Sequence, residues 1–115
     1  MTTTKSLSVG DALRAYLGTK LNRPALVLRR PPPVKGVQWL FVAMGTRTPP
    51  QNHETRFIFL DSSHRAFRNL GLTAPTWFKD KKTALIREND DSIAVVGECP
   101  PDLLIEFFKL YGIPH

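Results

Sequence analysis

A short apolar run bounded by prolines constrains the fold of this 115-residue chain more than any other feature. Residues 25–28 form the run, Arg23 and Pro24 precede it, and three consecutive prolines occupy residues 31–33. A continuous apolar run of this length is typical of a buried strand, and a proline is tolerated at the start of a strand. The run therefore predicts a core strand with an arginine at its N-terminal end.

Short β-strand signals recur along the rest of the chain. Residues 12–17 alternate apolar and polar side chains with a period of two, and the later segments are rich in aromatic and β-branched residues. A polar turn separates the last two segments, which favours a hairpin between them. Six strands are predicted, over residues 12–17, 25–28, 37–44, 56–60, 76–86 and 93–96.

Two helices are predicted. Asp61, Ser62 and Ser63 offer side-chain acceptors for a helix start, and Gly71 is a suitable stop, which predicts a short helix between them. A second helix begins near Pro101 and ends at Gly112. Its apolar residues fall on one stripe: Leu103, Leu104, Phe107, Phe108 and Tyr111. The fold class is therefore mostly β, a small closed barrel whose edge the C-terminal helix covers.

The chain length fits one domain. Residues 1–8 are rich in Thr, Ser and Lys and predict a flexible tail, so the domain spans residues 9–115. No apolar run approaches the roughly 20 residues that cross a bilayer, and the first eight residues do not resemble a signal peptide. We expect a cytoplasmic protein without membrane contact. Cys99 has no Cys or His cluster beside it, so we expect a small buried hydrophobe, with no metal and no cofactor.

Charge is distributed unevenly around the net charge of +6. Residues 1–87 contain 15 basic and 4 acidic side chains, whereas residues 88–115 contain 1 basic and 6 acidic side chains. No acid occurs between Asp11 and Glu54. This asymmetry favours a polyanionic ligand that binds one face. A merely solvated basic surface is the alternative.

Two strand ends carry the candidate chemistry, because no common catalytic motif is present. Arg23 precedes the second strand and Thr46 follows the third. If these strands are antiparallel neighbours, the two side chains lie at one rim. A guanidinium binds two phosphate oxygens and a hydroxyl donates a further hydrogen bond. RNA supplies its own nucleophile, the 2′-OH, so its cleavage needs no metal. In the alternative interpretation, Arg23 is a solvated strand-end charge and Thr46 a turn residue.

Several segments, in order, resemble the PemK/MazF family of toxin–antitoxin ribonucleases. The segment 22–28, with its Arg-Pro-Ala sequence, is the most specific of them. The others match the family's Gly-Asp start, its strand that ends in threonine, its Gly-Leu turn before a strand, and its closing helix. They are residues 10–11, 41–46, 70–78, and Gly97 with the helix after it.

The resemblance implies an SH3-like barrel, usually dimeric, that cuts single-stranded RNA without metal and is inhibited by an antitoxin. It implies a catalytic role for Arg23 with Thr46 as its hydroxyl partner. It also implies RNA-binding roles for Lys20, Arg47, Thr48 and Trp77, of which Trp77 would stack on a base. Two departures are the Arg-Thr-Pro-Pro sequence after Thr46 and the short loop at residues 18–22.

Our leading hypothesis is therefore an endoribonuclease toxin with RNA as substrate, a cognate antitoxin as protein partner, and a homodimeric state. The alternative is a non-catalytic basic SH3-like module that binds nucleic acid or an acidic protein. A structural or regulatory homodimer without a nucleic-acid role is a third hypothesis.

Overall fold

Six antiparallel strands form one sheet in the computed structural model, which describes residues 6–16 and 22–114. Their order across the sheet is β4-β5-β3-β2-β1-β6. The strands are β1 (Asp11–Tyr16), β2 (Asn22–Arg29), β3 (Trp39–Thr46), β4 (Phe57–Leu60), β5 (Thr76–Arg87) and β6 (Ile93–Glu98). Each lies within a few residues of a predicted strand, and the mostly β fold class is confirmed.

Strand β2 explains the apolar run that marks the sequence. It pairs with β1 on one side and β3 on the other. Leu26 and Leu28 pack into an apolar cluster on one face of the sheet, and Ala25 and Val27 pack into a second cluster on the opposite face. All four are at most 2% exposed. A continuous apolar run is what a strand buried on both faces requires.

The two clusters lie on opposite faces of the sheet. The first, here the helix-side cluster, contains Leu26, Leu28, Ala43, Leu60, Phe78, Leu103 and Phe107 among others. The second, here the far-side cluster, contains Leu13, Val27, Leu40, Val42, Met44, Ile86 and Ile93 among others.

The predicted hairpin between the last two strands is wrong. Strand β5 pairs with β3 and β4, whereas β6 pairs with β1. Ile86 and Ile93, on either side of the turn, both pack into the far-side cluster. The turn therefore joins strands that share a core without lying side by side, because β6 pairs with β1 instead.

The predicted closed barrel is also wrong, because the sheet is open. Strands β4 and β6 form its two ends and do not pair with each other in the described part of the chain. The sheet instead buries both faces, one under the C-terminal helix and one around the far-side cluster.

The C-terminal helix, α1 (Pro101–Tyr111), is confirmed with its predicted ends. A proline begins it, and Gly112 ends it in the left-handed conformation at φ 67°. Phe107 is buried and packs edge-to-face on Phe78 at 5.0 Å between ring centroids. The Tyr111 hydroxyl donates to the Lys79 carbonyl (2.8 Å), and burial raises the pKa of Tyr111. No helix in the described ranges is long and apolar enough to cross a membrane.

The predicted helix between residues 61 and 71 is wrong, because this segment is a series of turns. Asp61 does accept hydrogen bonds from Ser63, as a capping residue does. The backbone bonds that follow change their span, however: His64 N–H donates to Asp61 O, and Leu72 N–H donates to Phe67 O. The constant spacing of four residues that defines an α-helix is missing.

The N-terminal boundary of the packed chain differs from the prediction. Residues 1–5 lie outside the described residues, but Leu7, within the predicted tail, is only 5% exposed. Its N–H donates to Glu88 (2.7 Å), and its carbonyl accepts from Arg30 (2.9 Å). Arg30 also forms an ion pair with Glu88. These three residues connect the N-terminal segment, the end of β2 and the end of β5.

Cys99 is buried and packs in the helix-side cluster, as the sequence predicts. Desolvation raises the pKa of its thiol to about 12. Cys99 is therefore a protonated, unreactive side chain at neutral pH.

We expect Glu88→Gln to lower the free energy of unfolding at neutral pH by about 1–3 kcal/mol, because it leaves Arg30 without its charged acceptor. The Arg30 hydrogen bond holds the pKa of Glu88 below its ordinary value of 4.5. The contribution of the carboxylate is thus complete above pH 4.5 and is lost as the pH falls through the lower folded-state pKa. Urea unfolding at a series of pH values measures both effects.

Glu106→Gln, on the exposed surface of α1, is the matched control and should change stability little at any pH. If Glu88→Gln lowered the free energy of unfolding by the same amount at neutral and at acidic pH, the assigned ion pair would be contradicted.

Candidate functional site

Arg23 and Thr46 lie at one rim of the sheet. Strands β2 and β3 are antiparallel, and Ala25 is opposite Met44 in their register. Continuing that register by two residues sets Arg23 level with Thr46. Both residues line the same two adjoining cavities. The structure thus brings together the two residues for which the sequence predicts catalytic roles.

The two cavities open at the ends of the central strands. The larger, of about 410 Å³, lies beside Arg14, Pro24 and Thr76. The smaller, of about 240 Å³, lies beside Met44 and the side chains of Lys79 and Lys82. Both are lined by Arg23, Gly45, Thr46 and Thr48.

Gly45 allows the chain segments at this rim to approach closely. A Cβ atom at position 45 would lie 2.6 Å from Thr76 Cγ2 and 2.9 Å from Pro24 Cγ. Any side chain there would force apart β3, β2 and the start of β5. The glycine of the sequence Gly45-Thr46 is therefore required by packing around the larger cavity.

The cavities are strongly positive. Among the described residues that line them, five are cationic and none is acidic: Arg14, Arg23, Arg47, Lys79 and Lys82. The ion pairs found in the described part of the chain, Arg30 with Glu88 and Arg65 with Asp102, use none of these five. Their positive charges are therefore not neutralised within the described chain, which favours an anionic ligand.

Arg14 is held in place by neutral groups. Its guanidinium donates to the Gly71 carbonyl at 2.7 Å and to the Thr73 hydroxyl at 3.3 Å. These bonds fix the loop that forms one wall of the larger cavity. Because neither acceptor carries a charge, the arginine keeps its full positive charge at the cavity.

An irregularity in β5 places two lysines at the smaller cavity. The partners of β3 change from Ala43 opposite Thr83 to Gly45 opposite Phe78. The four residues 79–82 therefore lie opposite Met44 alone. The Asp80 N–H donates to the Arg56 carbonyl (3.0 Å), which anchors the irregular segment. Lys79 and Lys82 both line the smaller cavity as a result.

The other residues with predicted RNA-binding roles have different positions. Arg47 lines the larger cavity and Thr48 lines both. The Thr48 N–H donates to the Thr46 hydroxyl oxygen (3.2 Å), which leaves the Thr46 hydroxyl proton to donate to a ligand. Lys20 lies outside the described residues. Trp77 lines neither cavity; it is half-buried, with its ring 4.5 Å from that of Phe59.

Sequence reasoning did not assign Arg14, Lys79 or Lys82 to the site. Arg14 occupies a polar position in the alternation of β1. This alternation predicts which face of the sheet Arg14 lies on, but it does not predict which residues surround it. The lysines interrupt a segment of residues with high β-propensity. This interruption is the feature of the sequence that corresponds to the irregular pairing of β5. Only the strand order brings the three residues to one rim.

The side chains at the cavities suit a phosphate group rather than a metal. Arginines offer paired donors to phosphate oxygens, and threonine hydroxyls add further donors. No group of three His, Cys, Asp or Glu residues in the described ranges is arranged to hold a metal ion. The chain matches no protein-family model, no curated protein and no solved structure.

We expect Gly45→Ala to destabilise the protein by about 1–3 kcal/mol, because the added methyl group overpacks the rim. Adding Thr76→Ser should restore part of that loss, since it removes the closest clashing atom, Thr76 Cγ2, and keeps the hydroxyl that donates to the Ala74 carbonyl. Urea unfolding of both single variants and the double variant measures the coupling free energy between positions 45 and 76. Strictly additive effects would contradict the close approach described here.

Proposed function

We propose that this chain binds single-stranded RNA at the rim formed by Arg23 and Thr46 and cleaves it there without a metal ion. One observation supports the proposal above all others: Arg23 and Thr46 line both cavities, and two further cationic side chains line each cavity, with no acidic one among the described lining residues. RNA brings both the polyanionic backbone that this charge attracts and an internal nucleophile.

The proposed reaction is an internal transesterification. The 2′-oxygen of the substrate attacks the adjacent phosphorus, the bond from phosphorus to the 5′-oxygen breaks, and a 2′,3′-cyclic phosphate forms. Water accepts the proton of the 2′-OH and another proton from water goes to the leaving 5′-oxygen. The Arg23 guanidinium binds two non-bridging oxygens as charge builds on them, and the Thr46 hydroxyl donates to the same group.

The biological setting follows from the resemblance to the PemK/MazF family. We propose a toxin of a toxin–antitoxin system that acts in the cytoplasm as a homodimer. An acidic segment of the cognate antitoxin would inhibit it by occupying the cationic cavities, because carboxylates and phosphates compete for the same guanidinium donors.

A second candidate function is RNA binding without cleavage. It is favoured by the absence of any His, Asp or Glu among the described lining residues, because such a side chain is the usual general base. The two candidates share the phosphate site and differ only in whether the 2′-oxygen becomes a nucleophile there.

We expect Arg23→Ala to lower the cleavage rate of a fluorescent single-stranded RNA by about 100-fold or more, because it removes the main donor to the developing charge. Arg23→Lys should recover binding more than cleavage, since lysine keeps the charge but lacks the paired donors. Cleavage is measured by gel electrophoresis in the presence of EDTA, and binding by anisotropy with a 2′-O-methyl RNA that lacks the nucleophile. Induced expression should arrest growth with the wild type and not with Arg23→Ala.

Arg29→Ala is the matched control, because Arg29 is an exposed arginine at the opposite end of the same strand. It should leave cleavage unchanged. Wild-type binding without cleavage would establish the second candidate function. Wild-type cleavage that Arg23→Ala leaves intact would overturn the assignment of Arg23.

A further inference from the structure

Strand β4 presents exposed aromatic side chains at an edge of the sheet. Phe57 and Phe59 are 46% and 38% exposed, while Ile58 and Leu60, which alternate with them, pack against the helix-side cluster. The Trp77 ring lies beside Phe59, at 4.5 Å between centroids and an angle of 37°. We refer to Phe57, Phe59 and Trp77 as the aromatic edge.

The strand register connects the aromatic edge to the proposed phosphate site. Phe59 is opposite Trp77, and Trp77 is opposite Thr46. Directly opposite residues of antiparallel strands share one face of the sheet. Since Thr46 is level with Arg23, one row crosses four strands from Phe59 to Arg23. Three strand spacings separate its ends, roughly 14 Å.

A second cross-strand pair connects the same two regions. Phe57 is opposite Lys79, which lines the smaller cavity. Met44, another lining residue, belongs to the far-side cluster, so the smaller cavity and the aromatic edge open on the same face. Aromatic rings and cations that carry no ion pair in the described chain therefore form one continuous surface.

We propose that a single strand of RNA crosses the β-strands along this row, with one phosphate at Arg23 and Thr46 and a neighbouring base stacked on Phe59 and Trp77. This inference rests on the proposed function and adds a base-binding subsite to it. The length of the row exceeds the distance between a phosphate and its own base, so the stacked base belongs to another nucleotide. Stacking on aromatic side chains beside a cationic groove is how single-stranded nucleic acids are bound with little sequence preference.

The charge of the surface favours RNA over a second copy of this chain. A symmetric dimer through the aromatic edge would place the same patch of each copy against the other. Lys79 and its neighbours Arg23 and Lys82 would then approach their own counterparts, and like charges across an interface oppose association. A polyanion with flat apolar bases complements both parts of the surface.

The test compares Phe59→Ala with the wild type for binding of a 2′-O-methyl single-stranded RNA, measured by anisotropy at fixed salt. We expect affinity to fall by about 5- to 150-fold, the range of alanine substitutions at stacking platforms. Phe59→Tyr keeps a ring and should bind as the wild type does. Leu85→Ala is the matched control, since Leu85 is an apolar residue of β5, 61% exposed, outside the row.

Abasic substitutions along the oligonucleotide identify the stacked base. One abasic position near the bound phosphate should weaken binding by the wild type and have no further effect on Phe59→Ala, because both changes remove the same contact. Circular dichroism and urea unfolding of Phe59→Ala verify that the variant is folded, and Phe59→Leu, which keeps an apolar side chain without a ring, serves as a second test.

The outcomes separate this inference from the proposed function. If Arg23→Ala weakens binding while Phe59→Ala and Phe59→Leu bind like the wild type, the base subsite is overturned and the phosphate site stands. If Phe59→Ala dissociates a dimer in sedimentation measurements and leaves RNA affinity unchanged, the aromatic edge is a protein interface. If the wild type does not bind RNA at low salt, the proposed function and this inference fall together.

Discussion

Burial of β2 on both faces is the constraint on which the rest of this structure depends. A strand with apolar neighbours above and below has no place for a polar side chain along its middle, so its polar residues collect at its ends. Arg23 lies at one end, at the two cavities, and Arg30 follows the other, bonded to Leu7 and Glu88. The same constraint that forms the core therefore delivers one arginine to the proposed site and another to a structural ion pair.

The site depends on two local features, one in β3 and one in β5. Gly45 removes a side chain where β3 meets Pro24 and Thr76, and the residues 79–82 of β5 leave the ladder opposite Met44. Lys79 and Lys82, from these four residues of β5, line the smaller cavity together with Arg23. Irregular pairing beside functional groups is a common use of bulges, because it redirects side chains without disturbing the core.

Much of the fold follows from local patterns, and the site follows from them only in part. The strands, the helix α1 and the meeting of Arg23 with Thr46 depend on periodicity and on the pairing of consecutive strands, which are local features. The helix between Asp61 and Gly71 is predicted from a cap and a stop, but these signals mark only the ends of a segment, and the backbone hydrogen bonds between them do not keep the constant span of a helix. The hairpin prediction is wrong because β6 pairs with β1, which lies near the other end of the sequence, and not with β5.

Long-range pairing also accounts for the cationic residues that the sequence does not assign. Arg14 reaches the rim because Gly71 and Thr73 are folded against β1, and the lysines of β5 reach it because β5 lies beside β3. No local pattern encodes either contact.

The fold separates the acidic residues of the C-terminal part from the cationic residues that line the cavities. Two acids of the C-terminal part form ion pairs: Glu88 with Arg30, and Asp102 with Arg65 on the surface. No acid from that part lines a cavity in the described residues, whereas five cations do. Like charges held together oppose folding unless something else stabilises their arrangement. Here the core beneath β2 and β3 stabilises the rim, and the neutral acceptors of Arg14 hold that residue in place. The cations at the rim therefore still repel one another, and a bound polyanion would relieve this repulsion.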